Sequence, residues 1–131
     1  MKHLYFLAIL SLFSLATFAQ KQLVILHTND THSCIQPLNY HLADTLQAGR
    51  AGFIRRIALI EEERKKHPDL LLFDSGDFSH GSPYYSMYKG DVEIGLMNRM
   101  HYDASTIGNH EFDFGLDNMA RIFKKANFPI L

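Results

Sequence analysis

An α/β fold with a largely parallel sheet is predicted by three observations. Short apolar runs alternate with helical patterns in the order βαβαβαβ. Three successive apolar runs close on Asp, Asn or His residues. The 131 residues, 47% hydrophobic and 21% charged, are enough for one globular domain and too apolar for a disordered segment. In such folds ligands bind outside the carboxyl ends of the strands, so the polar closures are where function is expected.

The order begins with an export signal: a basic start at Lys2 and His3, an apolar run from Leu4 to Leu15, and small residues at Thr17 and Ala19. Residues 1–20 are assigned to it and 21–131 to the domain. The apolar run is shorter than the ~20 residues that span a bilayer, and no cysteine lies near the cleavage region to carry a lipid. An exported, periplasmic or extracellular chain without a stable membrane anchor is expected.

"QLVILHTND" gives a first strand at about Leu23 to His27, followed by a long loop to about Arg50. In "GFIRRIALIEEERKKH", Phe53, Ile57 and Ile60 recur at helical spacing, basic residues gather in the last turn and Pro68 stops the helix. "DLLLFDSGD" is the second strand, and "FSHGSPYYSMYKG" reads as a tyrosine-rich loop. "DVEIGLMNRM" forms a short helix with Asp91 and Glu93 near its start. "DASTIGNHEFDFG" is the third strand and its polar end. Leu116, Met119, Ala120 and Phe123 then mark a helix with one buried face, and "NFPIL" opens a fourth strand.

Net charge is −1 with histidines neutral, and the run Glu61 to Lys66 mixes signs like a solvated helix face, so no nucleic-acid polymer is expected as a partner. Cys34 is the only cysteine. An internal disulfide is excluded, and any metal must use oxygen and nitrogen ligands.

Asp30 and His32 are two residues apart, so in extended geometry both side chains face one way and can grip one ion. Alone, an Asx turn beside a solvated histidine explains the pair as well. Asp74 and Asp77 flank Gly76, which permits a tight turn. Asp77 has oxygens enough to bridge two cations, while Asp74 suits a supporting bond to a loop amide. Capping or turn formation is the alternative for both. Asn109 offers a neutral oxygen to a cation, and the adjacent His110 can act on a substrate. Asp113, three residues on, can hold one ring nitrogen of His110 and aim the other at a leaving group, the arrangement of a general acid. Glu111 is read as an anchor of its loop, His80 as substrate-side or solvated, and His27 as packed at a strand end.

Taken together, "ILHTNDTHS", "GDFSHGSP" and "TIGNHEFDFG" resemble the signature segments of the calcineurin-like metallophosphoesterases, in particular the 5′-nucleotidase branch, and "AGFIRRIALI" is similar to that branch's first helix. The resemblance spans about Leu23 to Leu131. It implies the N-terminal half of a four-layer α/β/β/α sandwich and a centre of two divalent ions, with Zn, Mn, Fe or Co all compatible with oxygen and imidazole ligands. By position, Asp30 and His32 would hold the first ion, Asp77 would bridge, Asn109 would hold the second, and His110 with Asp113 would be catalytic. A small phosphoester such as a nucleotide is the implied substrate, hydrolysed by a two-metal mechanism. The family's later histidine ligands and its nucleotide-binding C-terminal domain have no counterpart here. A fragment of a longer enzyme is therefore expected, and a truncated, non-catalytic fragment with a partial metal site is the alternative.

Overall fold

Strand formation begins where β-branched and leucine residues cluster, and the parallel register follows from the helices that separate them. In the computed structural model, which describes residues 21–131, strand β1 is Ile25–Thr28, β2 is Leu71–Asp74 and β3 is Ala104–Ser105. The expected export signal, residues 1–20, lies outside the described residues. The sheet order is β1-β2-β3, all parallel, with Ile25 opposite Leu71 and Phe73 opposite Ala104. The expected fourth strand is reduced to a single parallel bridge between Ser105 and Ile130.

Helix α1 (Phe53–Lys66) starts after Gly52, whose φ of 91° lies in the region glycine favours, and a Cβ there would approach the Pro37 nitrogen to 2.8 Å. Phe53 and Ile60 are buried as their spacing predicts. Arg64, Lys65 and Lys66 close the last turn, where the helix dipole favours cations. Helix α3 (Asp91–Met100) forms as expected, with Asp91 and Glu93 in its first turn and Ile94, Met97 and Met100 buried.

Four details depart from expectation. Strand β1 sits further along the chain, because Ile25 to Thr28 is the stretch that pairs with β2. The tyrosine-rich segment contains helix α2 (Pro83–Tyr88), started by the Ser82 side chain accepting from the Tyr85 amide and by proline at its first position. Helix α4 (Gly115–Phe123) buries Ile122, while Leu116 is 65% exposed, so its inward face is rotated from the apolar positions named above. His27 is exposed in β1 and is not packed.

Side chains alternate across the sheet. Leu72 and Asp74 are buried towards the core of Phe53, Ile60, Phe78, Ile94 and Met97, whereas Ile25 and His27 lie on an open face. The described residues thus form one sheet with helices layered on one side. Because β1, β2 and β3 are parallel, their carboxyl ends share one edge.

Candidate metal and catalytic centre

Three loops leave that edge and continue the strand register beyond the sheet. The Asp30, His32 and Ser33 amides donate to the carbonyls of Gly76, Asp77 and Phe78 at 3.1, 3.0 and 2.9 Å. Asp30, His32, Asp77 and His80 all adopt left-handed φ, between 40° and 75°, an uncommon and costly conformation for non-glycine residues that concentrates at functional sites. Two glycines let the loops touch. A Cβ on Gly76 would lie 2.6 Å from the Gly108 nitrogen, and a Cβ on Gly108 would lie 2.0 Å from Asp77 Oδ1.

Buried carboxylates hold this backbone in place. Glu111 is fully buried and accepts from the amides of Asp77 (3.0 Å), Ser79 (3.1 Å) and Gly108 (2.6 Å), tying two loops together as an anchor. Asp74 accepts from the Gly76 amide at 2.9 Å, from Ser105 Oγ at 3.1 Å and from Thr28 Oγ1, which also bonds the Tyr102 hydroxyl. Burial pushes the Asp74 carboxyl above the ordinary carboxylate range, and these hydrogen bonds only partly oppose it. Its expected supporting role is what the geometry gives it.

Within this frame the predicted polar side chains converge. His32 Nε2 lies 3.7 Å from Asp30 Oδ1 and 4.0 Å from Asp77 Oδ2. One ligand atom from each of His32, Asp77 and His110 falls within 4.8 Å of the others. The His110 amide donates to Asp77 Oδ1 at 2.9 Å, and its carbonyl accepts from the Tyr85 hydroxyl at 2.9 Å, so its backbone is held from both sides. His110 Nδ1 stands 3.2 Å from Asp113 Oδ2. A carboxylate accepts only, so this nitrogen carries the proton and Nε2 is left for other partners.

Asn109 is the predicted residue that geometry ties least to the group. It lies between Gly108 and His110 in the loop, is exposed, and makes no side-chain capping bond. Two features went unforeseen. Tyr85 anchors His110, and His80 Nδ1 bonds Asp113 Oδ2 at 3.0 Å while its ring stacks on His110 with centroids 4.1 Å apart. No local pattern foretells either contact, since the partners are 25 and 33 residues apart in sequence. Beside this pair opens a cleft of about 440 Å³ lined by His80, Ser82, Tyr85, Ser86, Asp113 and Phe114.

Carboxylate oxygens and imidazole nitrogens gathered from separate loops, their backbones already fixed, fit a divalent cation of the Zn, Mn, Fe or Co type. The ligand atoms, within 4.8 Å of one another, stand wider than the roughly 3.3 Å expected around one tetrahedral ion.

A family model described as calcineurin-like phosphoesterase matches residues 23–130. The chain belongs to this family. It is 37% identical over 113 residues to a human 5′-nucleotidase, covering 84% of this chain and 20% of that protein. It is 41% identical over 112 residues to the snake venom 5′-nucleotidase of Crotalus adamanteus, covering 84% and 19%. The crystal structure of a 5′-nucleotidase precursor from Thermus thermophilus superposes with a TM-score of 0.75 at 33% identity, over 83% of this chain and 21% of that one. The calcineurin-like phosphoesterase chain described here therefore spans about a fifth of the length of these relatives and corresponds to the N-terminal part of their fold. Family members use divalent metals, consistent with the donor set at the strand ends. No helix among the described residues is long and apolar enough to cross a membrane.

Proposed function

We propose that this chain supplies the N-terminal part of a metal-dependent phosphoester hydrolase of the 5′-nucleotidase type, acting outside the cytoplasm on nucleotides or similar small phosphoesters. The observation that carries the reading is the meeting of Asp30, His32, Asp77 and His110 at one edge of the sheet, with Asp113 behind His110. Asp30 and His32 are assigned to a first cation, Asp77 to a bridging position and Asn109 to a second cation. When bound, such a pair supplies charge stabilisation and water activation.

The rest belongs to the chain's own side chains. Asp113 accepts from Nδ1–H of His110 and so orients the ring, which in its doubly protonated form gives the Nε2 proton to the departing alkoxide oxygen and is left neutral. Tyr85 and Asp77 hold the His110 backbone so that the ring does not drift. Glu111 keeps the Asp77 and His110 loops in register without touching substrate. The products are an alcohol, a nucleoside for a nucleotide substrate, and inorganic phosphate.

A second reading, a non-catalytic chain holding one cation weakly, draws support from Asn109, the residue assigned to a second cation, which is exposed and makes no side-chain capping bond. The deciding measurement is phosphate release from a nucleoside monophosphate together with metal content. His110→Asn is expected to retain the cations assigned to Asp30, His32, Asp77 and Asn109 and to lower turnover roughly 10²–10⁴-fold. Equal rates for variant and parent would reject the catalytic role, and metal binding without any phosphate release by the parent would favour the second reading.

A further inference from the structure

A carboxylate that orients one catalytic histidine needs one imidazole partner. Asp113 has two. His80 Nδ1 and His110 Nδ1 stand 3.0 and 3.2 Å from the same oxygen, Oδ2, and the two rings stack with 15° between their planes. The hydrolysis proposed above gives the second ring no task. With His110 and Asp113 it makes a set of three donors from three residues within 4.8 Å of one another, a set that could hold a cation.

We propose that His80, His110 and Asp113 form a further cation site, adjoining the His32 and Asp77 group through the shared His110 and selective for zinc. Two imidazoles and one carboxylate with an open fourth position make up a recurrent three-ligand zinc set. Imidazole-rich sites favour zinc over magnesium, calcium or manganese. Bonds of about 2.0–2.1 Å in a tetrahedron place ligand atoms about 3.3 Å apart, close to the two nitrogen–oxygen separations in the structure. Filling the site requires the stacked rings to open about their Cβ–Cγ bonds so that the in-plane lone pairs converge. His80 can do so without backbone movement, since its side chain is half exposed. The His110 backbone, held by Asp77 and Tyr85, provides the fixed side of the site.

Coordination through Nδ1 shifts the proton of each neutral ring to Nε2, so no net proton is released. The regulatory consequence rests on the function proposed above: zinc here engages both His110 and Asp113 and removes them from proton transfer. Excess zinc then inhibits the hydrolase.

The test titrates Zn²⁺ into the ¹⁵N-labelled chain while long-range spectra follow the ring nitrogens and equilibrium dialysis with elemental analysis counts bound metal. His80→Asn tolerates the local φ of 75° and can still donate to Asp113, but it lacks the imidazole. Asp30→Asn weakens the other group and leaves this one intact. Backbone amide spectra of each variant verify folding. The Nδ1 signals of His80 and His110 are expected to move together, bound zinc is expected to fall by one per chain in His80→Asn, and both signals should still move in Asp30→Asn. An unmoved His80 Nδ1 at saturating zinc, or unchanged stoichiometry in His80→Asn, overturns the site. In the active protein, His80→Asn should raise the inhibitory zinc concentration about tenfold or more, and equal inhibition of variant and parent overturns the regulatory role. If instead His110→Asn leaves phosphate release unchanged, the proposed function fails while the ring-nitrogen result stands by itself.

Discussion

Two irregular regions of this molecule differ in how their backbones are held. The segment from Gln36 to Arg50 is closed by local turns, such as the Gln47 and Ala48 amides donating to the Asp44 carbonyl, and it exposes Tyr40, Leu42 and Leu46. The loops at the carboxyl edge of the sheet are no more regular. They are nevertheless fixed, because Glu111 and Asp74 satisfy their amides from within and each loop continues a strand's register onto its neighbour. Irregular backbone thus becomes a scaffold when buried carboxylates replace the ladder hydrogen bonds it lacks. The cost is left-handed backbone at Asp30, His32, Asp77 and His80, and the gain is a set of carboxylate and imidazole side chains brought to one edge of the sheet.

The largest expected effect breaks that contrast at its centre. Glu111→Ala leaves three amide donors buried without an acceptor, and it is expected to lower unfolding free energy by roughly 3–5 kcal/mol in urea titrations. A loss below about 1 kcal/mol would mean that water or rearrangement replaces the carboxylate. Gly108→Ala comes next. The new Cβ would meet the Asp77 carboxylate, and a displacement of about 1 Å should reduce phosphate release roughly 10²-fold, with metal content falling alongside. Parent-like activity would show that Asp77 need not stand where it does.

Asp74 gives a smaller and pH-dependent effect. Burial raises its folded pKa above the unfolded value near 3.8, so the folded state binds the proton more tightly. Stability from this group is therefore complete below the unfolded pKa and is lost as pH rises through the folded one. Asp74→Asn, which keeps an acceptor for Gly76 and Ser105, should flatten that portion of the stability profile measured by thermal unfolding from about pH 3 upwards. An unchanged slope would assign it to another group, with buried Glu93, whose pKa burial also raises, the next to test. The smallest effect belongs to the other region. Leu46→Ser, on an exposed position, should change stability by no more than about 0.5 kcal/mol, and a larger loss would show that the Gln36–Arg50 segment is held by more than its turns.

Local patterns carried much of this molecule. The apolar runs at Ile25 and Leu71, the helical spacing of Phe53 and Ile60 and the charges around Asp91 act within a few residues, so they are written directly in the chain. The tyrosine-rich helix was not legible, and its segment reads as a loop, because the surrounding glycines and tyrosines mask the start signal at Ser82-Pro83. Nor was the inward face of α4. Leu116 and Ile122 are both apolar, and which one is buried depends on how the helix meets its neighbours. For the centre, the sequence showed that Asp30, His32, Asp77, His110 and Asp113 close successive strands.

By itself, then, the sequence determined the alternation of strands and helices, the chemical types available at each strand end and the family to which the chain belongs. These depend on periodicity and short motifs, which neighbouring residues encode. Only the tertiary structure decided that Glu111 would bind amides 34 and 32 residues away in another loop, that Tyr85 would hold His110, and that Asp113 would be shared with His80. Such contacts arise when parallel strands place their ends side by side, and nothing in a linear spacing specifies which side chain from one loop will reach across to another.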